Sequence, residues 1–357
     1  MRITPSFANE LFMNRRAFVV NGGVAVAGLA MSRLGAAEIA RPKIKIGFLG
    51  GAHSHGLEKW KTIAAQNDYE LVGLCEEAPM VREAYVKLGA KIITWDELFA
   101  RADVVVVESA VREHARNAKV ALFAGKHVHV EKPPAASLAE FEELQKLAST
   151  QKRLLQVGYM WRFNPGFMRA FEAARQGWLG DVYLVRATMN SFIDAKRRPE
   201  WGEFKGGAMF ELGCHLIDAV VRLLGKPVKV TPHLQRLGSD GLADNCAAVI
   251  EFAKAQAIVT SSVLHPNAGS HRFLEILGTN GVARVQPIEQ PVLTLDLAKA
   301  AGPYKAGTQK IELPTYRRYV DEFVELASCL REGKPLPTPP ETERLVQETL
   351  LRACEML

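Results

Sequence analysis

A glycine turn set between a short apolar strand and a helix constrains this chain most. Residues 43–49 alternate and then run apolar, as an inner strand of a parallel sheet does. Gly50-Gly51-Ala52-His53-Ser54-His55-Gly56 follows, and residues 57–66 have helical character. Such a turn lets backbone N–H groups and the helix N-terminus face a pyrophosphate. Set against G-x-G-x-x-G it keeps Gly50, while Ala52 and His55 fall on the second and third glycine places. Gly50, Gly51, Ala52, His53 and His55 are therefore the residues expected to meet a dinucleotide. The next strand, Tyr69–Cys75, ends in Glu76-Glu77. An acid there takes both ribose hydroxyls and repels a 2′-phosphate, which favours NAD over NADP.

Two more strand–helix units follow, residues 91–93 before 95–100 and 104–107 before 113–124. Repeated alternation of this kind predicts a doubly wound parallel sheet. Val128 and Val130 then alternate in a strand that Pro133 and Pro134 stop abruptly. That strand delivers Glu131 and Lys132 at its C-terminal end, the edge of an open parallel sheet where ligands sit. The pairs His53/His55 and His127/His129 invite a metal, but no Asp, Glu or Cys completes a ligand set at metal spacing. No metal is expected.

After residue 155 the period changes. Residues 181–190, 227–237, 245–253, 256–264, 271–278, 281–286 and 291–297 are strand-like with short connections, which predicts a largely antiparallel sheet. One helix, residues 206–224, interrupts them, and helices near 315–332 and 341–357 close the chain. In the interrupting helix Glu211, His215 and Asp218 fall on one face. A carboxylate, an imidazole and a second carboxylate in one row make an acid–base set, or equally a solvated polar stripe.

The N-terminus reads as an export signal. Arg15-Arg16 precede an apolar run too short to span a bilayer comfortably, and small residues at 35–37 offer a cleavage site. The pattern resembles a twin-arginine signal and implies a periplasmic protein, with an uncleaved anchor as the alternative. Residues 1–37 hold four of the 45 basic and one of the 39 acidic residues. Without them the net charge falls from +6 to +3, which argues against nucleic acid and stable membrane-surface partners. The domains expected are 1–37 (signal), 38–155 (dinucleotide-binding) and 156–357 (substrate and oligomerisation). Five scattered cysteines with no Cys-x-x-Cys pair read mostly as buried small hydrophobes.

Taken together, residues 46–56, 105–114, Glu131-Lys132-Pro133, Gly158-Tyr159-x-x-Arg162-Phe163-Asn164-Pro165 and the glycine–carboxylate–histidine helix resemble the Gfo/Idh/MocA oxidoreductases. The resemblance implies an α/β Rossmann domain followed by an α+β domain with a largely antiparallel open sheet. It also implies a homo-oligomer paired through that sheet. Carried over, Lys132 and His215 flank the substrate carbon that faces the nicotinamide, and Glu131 and Pro133 adjoin the cofactor. The family usually has aspartate where this chain has Glu211, whose extra methylene leaves its role open. Tyr159, Arg162, Asp194, Trp201 and Asp218 are candidate substrate contacts.

Oxidising a secondary alcohol needs a base for the hydroxyl proton and a positive charge beside the developing alkoxide. His215, near its unperturbed pKa of about 6.5, suits the first, with Glu211 as the alternative base. Lys132 suits the second. The leading reading is an NAD-dependent oxidoreductase of a sugar, polyol or related alcohol. A redox-neutral lyase or glycosidase that uses NAD transiently, and a non-enzymatic nucleotide-binding protein, are the alternatives.

Overall fold

The computed structural model describes residues 41–357, so the signal expected over residues 1–37 lies outside the described residues. β1 (Ile44–Leu49), α1 (Gly56–Ala64), β2 (Tyr69–Cys75), α2 (Pro79–Val86), α3 (Trp95–Arg101), β3 (Val104–Val107), α4 (His114–Phe123), β4 (His127–Val130), α5 (Leu138–Gln151) and β5 (Leu155–Val157) alternate along the chain. Their strands form one five-stranded sheet in the order β2-β1-β3-β4-β5, every neighbour parallel. Strand order reverses between β1 and β3, so the carboxyl ends of these two open a crevice. All four residues of β3 are buried valines, as in a strand covered on both faces. The doubly wound expectation holds with one correction. Residues 91–93 form no strand of their own: Ile92 makes a single bridge to Leu74 of edge strand β2 before Thr94 caps α3.

α6 (Pro165–Arg175) opens the second region. Asn164 Oδ1 accepts from the N–H groups of Gly166 and Phe167, and Pro165 occupies the first helical position. The Asn164 amide donates to the Ile288 carbonyl at 2.8 Å, so the same cap ties the helix to the second sheet. Then come β6 (Val182–Asn190), α7 (Arg198–Gly202), α8 (Cys214–Leu224), β7 (Lys229–Gln235), β8 (Asn245–Glu251), β9 (Gln256–Ser262), β10 (Phe273–Gly278), β11 (Gly281–Val285), β12 (Leu293–Leu297) and β13 (Gly307–Ile311). The eight strands run β13-β12-β11-β10-β6-β9-β8-β7, and only the β6–β9 pair is parallel.

The interrupting helix is not uniform. Met209–Gly213 is a single π turn within it, and α8 continues from Cys214 without a break. Such turns widen the helix and shift the side chains that follow. α9 (Val320–Glu332) and α10 (Pro340–Ala353) return to the first sheet: the Tyr69 hydroxyl donates to the Phe323 carbonyl at 2.6 Å, and Gln347 Nε2 to the Ala135 carbonyl at 2.8 Å. α9 thereby brings Glu322 beneath the glycine turn. The five cysteines are buried and unpaired, as expected. No helix among the described residues is long and apolar enough to cross a membrane.

Candidate active site

The glycine turn is built as a cradle. Gly50 has φ +75°, and a Cβ there would lie 2.5 Å from Ser109 Cβ. His55 is the N-cap of α1 and Gly56 its first residue. A Cβ on Gly56 would meet the Tyr85 hydroxyl at 2.2 Å, so Gly56, not the His55 position, is the glycine that gives the start of α1 room against the Tyr85 side chain of α2. The turn is one residue longer than the pattern anticipated. Glu76 sits at the end of β2 as expected, its carboxylate accepting from Gly51 N–H at 2.8 Å, Glu77 N–H at 2.8 Å and Ala78 N–H at 2.9 Å. A glycine cradle with a fixed acid beside it fits an NAD molecule, with Gly50, Gly51, Ala52 and Glu76 as the residues that would hold it.

Beyond the turn lies a cavity of about 350 Å³ between the two sheets. Ala52, His53, His55, Lys132, Trp201, Glu211 and His215 all line it, so seven of the residues singled out above converge there. Lys132 is buried, and its Nζ donates to the Glu211 carbonyl at 3.1 Å, fastening the end of β4 to the π turn. Burial pushes the Glu211 carboxyl up to about 7, against the opposing pull of Lys132. Burial, then Lys132, holds His215 well below its usual value. The expectation that His215 titrates near 6.5 is therefore not met; of the two groups, Glu211 is the one poised near neutrality. His215 Nδ1 is buried with no hydrogen-bond partner among the described residues.

Several expected contacts lie elsewhere. Asp218, one turn beyond His215, is taken up by Arg162, whose Nε and terminal nitrogen reach it at 3.1 and 2.7 Å. Arg162 also bonds Glu343 of α10. Tyr159 is buried beneath that guanidinium, 4.9 Å from ring centroid to Cζ. None of the three lines the cavity: Arg162 joins Asp218 and Glu343 in an ion-paired brace between regions, and Tyr159 packs against it. Asp194 is exposed and accepts from the N–H groups of Lys196 and Arg197, shaping the loop rather than the cavity wall. The Pro133 carbonyl faces His114 Nδ1 at 2.8 Å, inside the fold.

Glu131 is fully buried and does not reach the cavity. It is held by Lys59, a lysine on the apolar face of α1 that sequence reading missed. Lys59 Nζ pairs with Glu131, lies 2.9 Å from Glu108 Oε1 and 2.8 Å from His129 Nε2, and stands 3.9 Å from Glu322. Burial works against the ammonium, but the three carboxylates overcompensate and its pKa is raised. Burial also opposes charge on Glu131, yet Lys59 and then His55 keep it well below the usual carboxylate range. Burial lifts Glu108 to about 7 and Glu322 to about 8. The Lys59 ammonium and the Glu131 carboxylate are thus the pair whose charges their surroundings favour. His53, His55 and Glu131 bring ligand atoms within 4.8 Å of one another, a convergence that spacing along the chain did not reveal. A cation there would have to share Glu131 with Lys59. The cavity is completed by Arg272, Glu289, Arg318 and Tyr319, also missed; Tyr319 has φ +66°, rare for a bulky residue outside a site.

Residues 44–159 match the oxidoreductase family with an NAD-binding Rossmann fold, and residues 167–284 match the GFO/IDH/MocA C-terminal domain. The two matches follow one another and together span well over half of the chain. This chain belongs to the Gfo/Idh/MocA oxidoreductase family. It is 29% identical to the D-glucoside 3-dehydrogenase of Escherichia coli (strain K12) over 212 residues, 56% of this chain and 59% of that protein. It is 24% identical to the inositol 2-dehydrogenase of Rhizobium meliloti (strain 1021) over 301 residues, 81% of this chain and 89% of that protein. Among solved structures, aldose-aldose oxidoreductase from Caulobacter crescentus complexed with glycerol matches with a TM-score of 0.76 at 20% identity, covering 88% of this chain and 98% of that one. GenD2 from gentamicin A biosynthesis, in complex with NAD, matches with a TM-score of 0.75 at 24% identity, covering 89% and 95%. At such identities the likeness of these family structures is one of fold.

Proposed function

We propose that this family member is an NAD-dependent dehydrogenase of a cyclic polyol or sugar, acting on a secondary hydroxyl set between Lys132 and Glu211. The observation that carries the reading is the convergence of Lys132, Glu211 and His215 on one cavity beside the glycine cradle. The sugar and inositol dehydrogenases among its relatives support the substrate class. NAD, when bound, supplies the hydride acceptor. The Lys132 ammonium stabilises negative charge developing on the substrate oxygen. Glu211 takes the hydroxyl proton, and neutral His215 holds that oxygen by a hydrogen bond. Mass spectrometry of nucleotide released from the purified protein, with a panel of inositols and glucosides scored for NADH, tests the function. Absence of both bound nucleotide and turnover overturns it.

Two results follow from the carboxylates. A base at Glu211 must be ionised to act, so activity should fall as pH drops through about 7. Glu211→Gln should abolish that limb in a pH profile of kcat/KM, and His215→Asn should keep it. The reverse pattern would return the base to His215. Glu76, anchored at the end of β2, should repel a 2′-phosphate. NAD should therefore bind nucleotide-free protein about tenfold or more tighter than NADP, a difference of about 1.4 kcal/mol. Calorimetric titration with both nucleotides measures this, and equal affinity would remove Glu76 from the role.

A further inference from the structure

Three histidines line the cavity, and two of them are supported differently from behind. His215 Nδ1 has no hydrogen-bond partner among the described residues. His55 Nδ1 lies 3.1 Å from Glu131 Oε1, a fully buried carboxylate whose other oxygen is held by the Lys59 ammonium. A carboxylate so held can only accept, so the proton of neutral His55 sits on Nδ1. Nε2 then turns its lone pair to the cavity that His55 lines. Nearby groups reinforce the arrangement. His53 Nδ1 accepts from the His55 N–H at 3.3 Å, and Lys59 is itself fixed by Glu108 and His129. The Tyr319 and His215 rings stand 5.4 and 6.4 Å from the His55 ring and line the same cavity.

A buried carboxylate behind an imidazole is the device that sets a histidine's tautomer. We infer that Glu131 and His55 form a hydroxyl-recognising pair of this site, with neutral His55 Nε2 accepting a hydrogen bond from a substrate hydroxyl other than the one at Lys132 and Glu211. No proton is transferred: the hydroxyl donates, and Glu131 keeps the imidazole in the one tautomer that can accept there. Burial holds the imidazole down at about 3 against the favourable pull of Glu131, with His53 and Lys132 adding to burial, so His55 is a neutral acceptor at working pH. Glu131 is a positioning residue in this scheme. The inference rests on the polyol reading above: the substrate must present two hydroxyls, one to each wall.

The wild-type protein labelled with ¹⁵N-histidine gives the first readout by NMR, the His55 signal being the one that His55→Asn removes. A protonated Nδ1 and an unprotonated Nε2 are expected, with Nε2 unmoved by NAD alone. A proton on Nε2, or an Nε2 shift on adding NAD alone, overturns the inference, because the partner of Nε2 would then be absent or be the cofactor. With an alcohol that is turned over, His55→Asn should lower kcat/KM about tenfold or more. Glu131→Gln should lose the fixed tautomer in the same spectrum. A His55→Asn enzyme within about threefold of wild-type kcat/KM overturns the assignment. If every alcohol fails, the polyol reading fails with it, and the tautomer alone then decides for or against the His55–Glu131 pair.

Discussion

Lys132→Met is expected to lower turnover by about a hundredfold or more, in a protein that still folds and still binds nucleotide. The ammonium follows β4, lines the cavity and, among the described residues, donates to the Glu211 carbonyl. Removing it leaves the developing alkoxide without its nearest positive charge. A second signature separates this effect from simple misfolding. Lys132 is the foremost charge opposing the upward shift of the Glu211 carboxyl, which stands at about 7. Without that cation the protonated carboxyl is favoured further, so the residual activity should show its acidic limb displaced to higher pH. A variant with near-normal kcat, or one with low kcat and an unmoved limb, would take Lys132 out of the reacting centre.

The parts of this arrangement that could be read along the chain were those set by local chemistry. Gly50, Glu76 and Lys132 sit at strand ends, where β-branched alternation and a glycine or proline stop mark position without reference to anything distant. β13 escaped reading because it is a polar edge strand that pairs only with β12, so its residues carry no alternation to detect. Arg162 and Asp218 were read as substrate contacts because a polar residue in a motif looks the same whether it faces a ligand or a buried ion pair. Glu343, which settles the matter, lies 181 residues from Arg162. The π turn hid for a different reason: nothing in Met209–Gly213 distinguishes a five-residue turn from an ordinary one until α8 and the cavity are in place. Lys59 is the instructive case. It lies on the same α1 stripe as the buried Gly56, Trp60 and Ile63, which was a signal available in the sequence. A lysine there is usually solvated, and its partners Glu108 and Glu131 lie 49 and 72 residues away.

Lys59→Met should be the most destabilising substitution of the set, costing about 3–5 kcal/mol at neutral pH, the range for breaking a buried ion pair from one side. Methionine fills the space without strain, so the loss is electrostatic: Glu131, His129 and Glu108 all lose their partner at once. The dependence on pH identifies the cause. In the wild-type protein the Glu131 carboxyl is depressed, so it contributes stability above its unfolded value, near 4.3, and loses it as pH falls. Without Lys59, burial alone acts on Glu131 and raises its pKa. Its contribution then reverses sign, being present in acid and lost as pH rises. The deficit relative to wild type should therefore be smallest near pH 5 and widen toward pH 8. Adding Glu131→Gln to Lys59→Met should recover about 1–3 kcal/mol, because the uncompensated charge is gone. Urea denaturation of the wild type and the two variants at pH 5, 7 and 8 measures all of this through shifts in midpoint. A deficit that stays constant with pH would mean that Lys59 acts by packing, and Glu131 would then lack the anchored charge that its pairing with His55 requires.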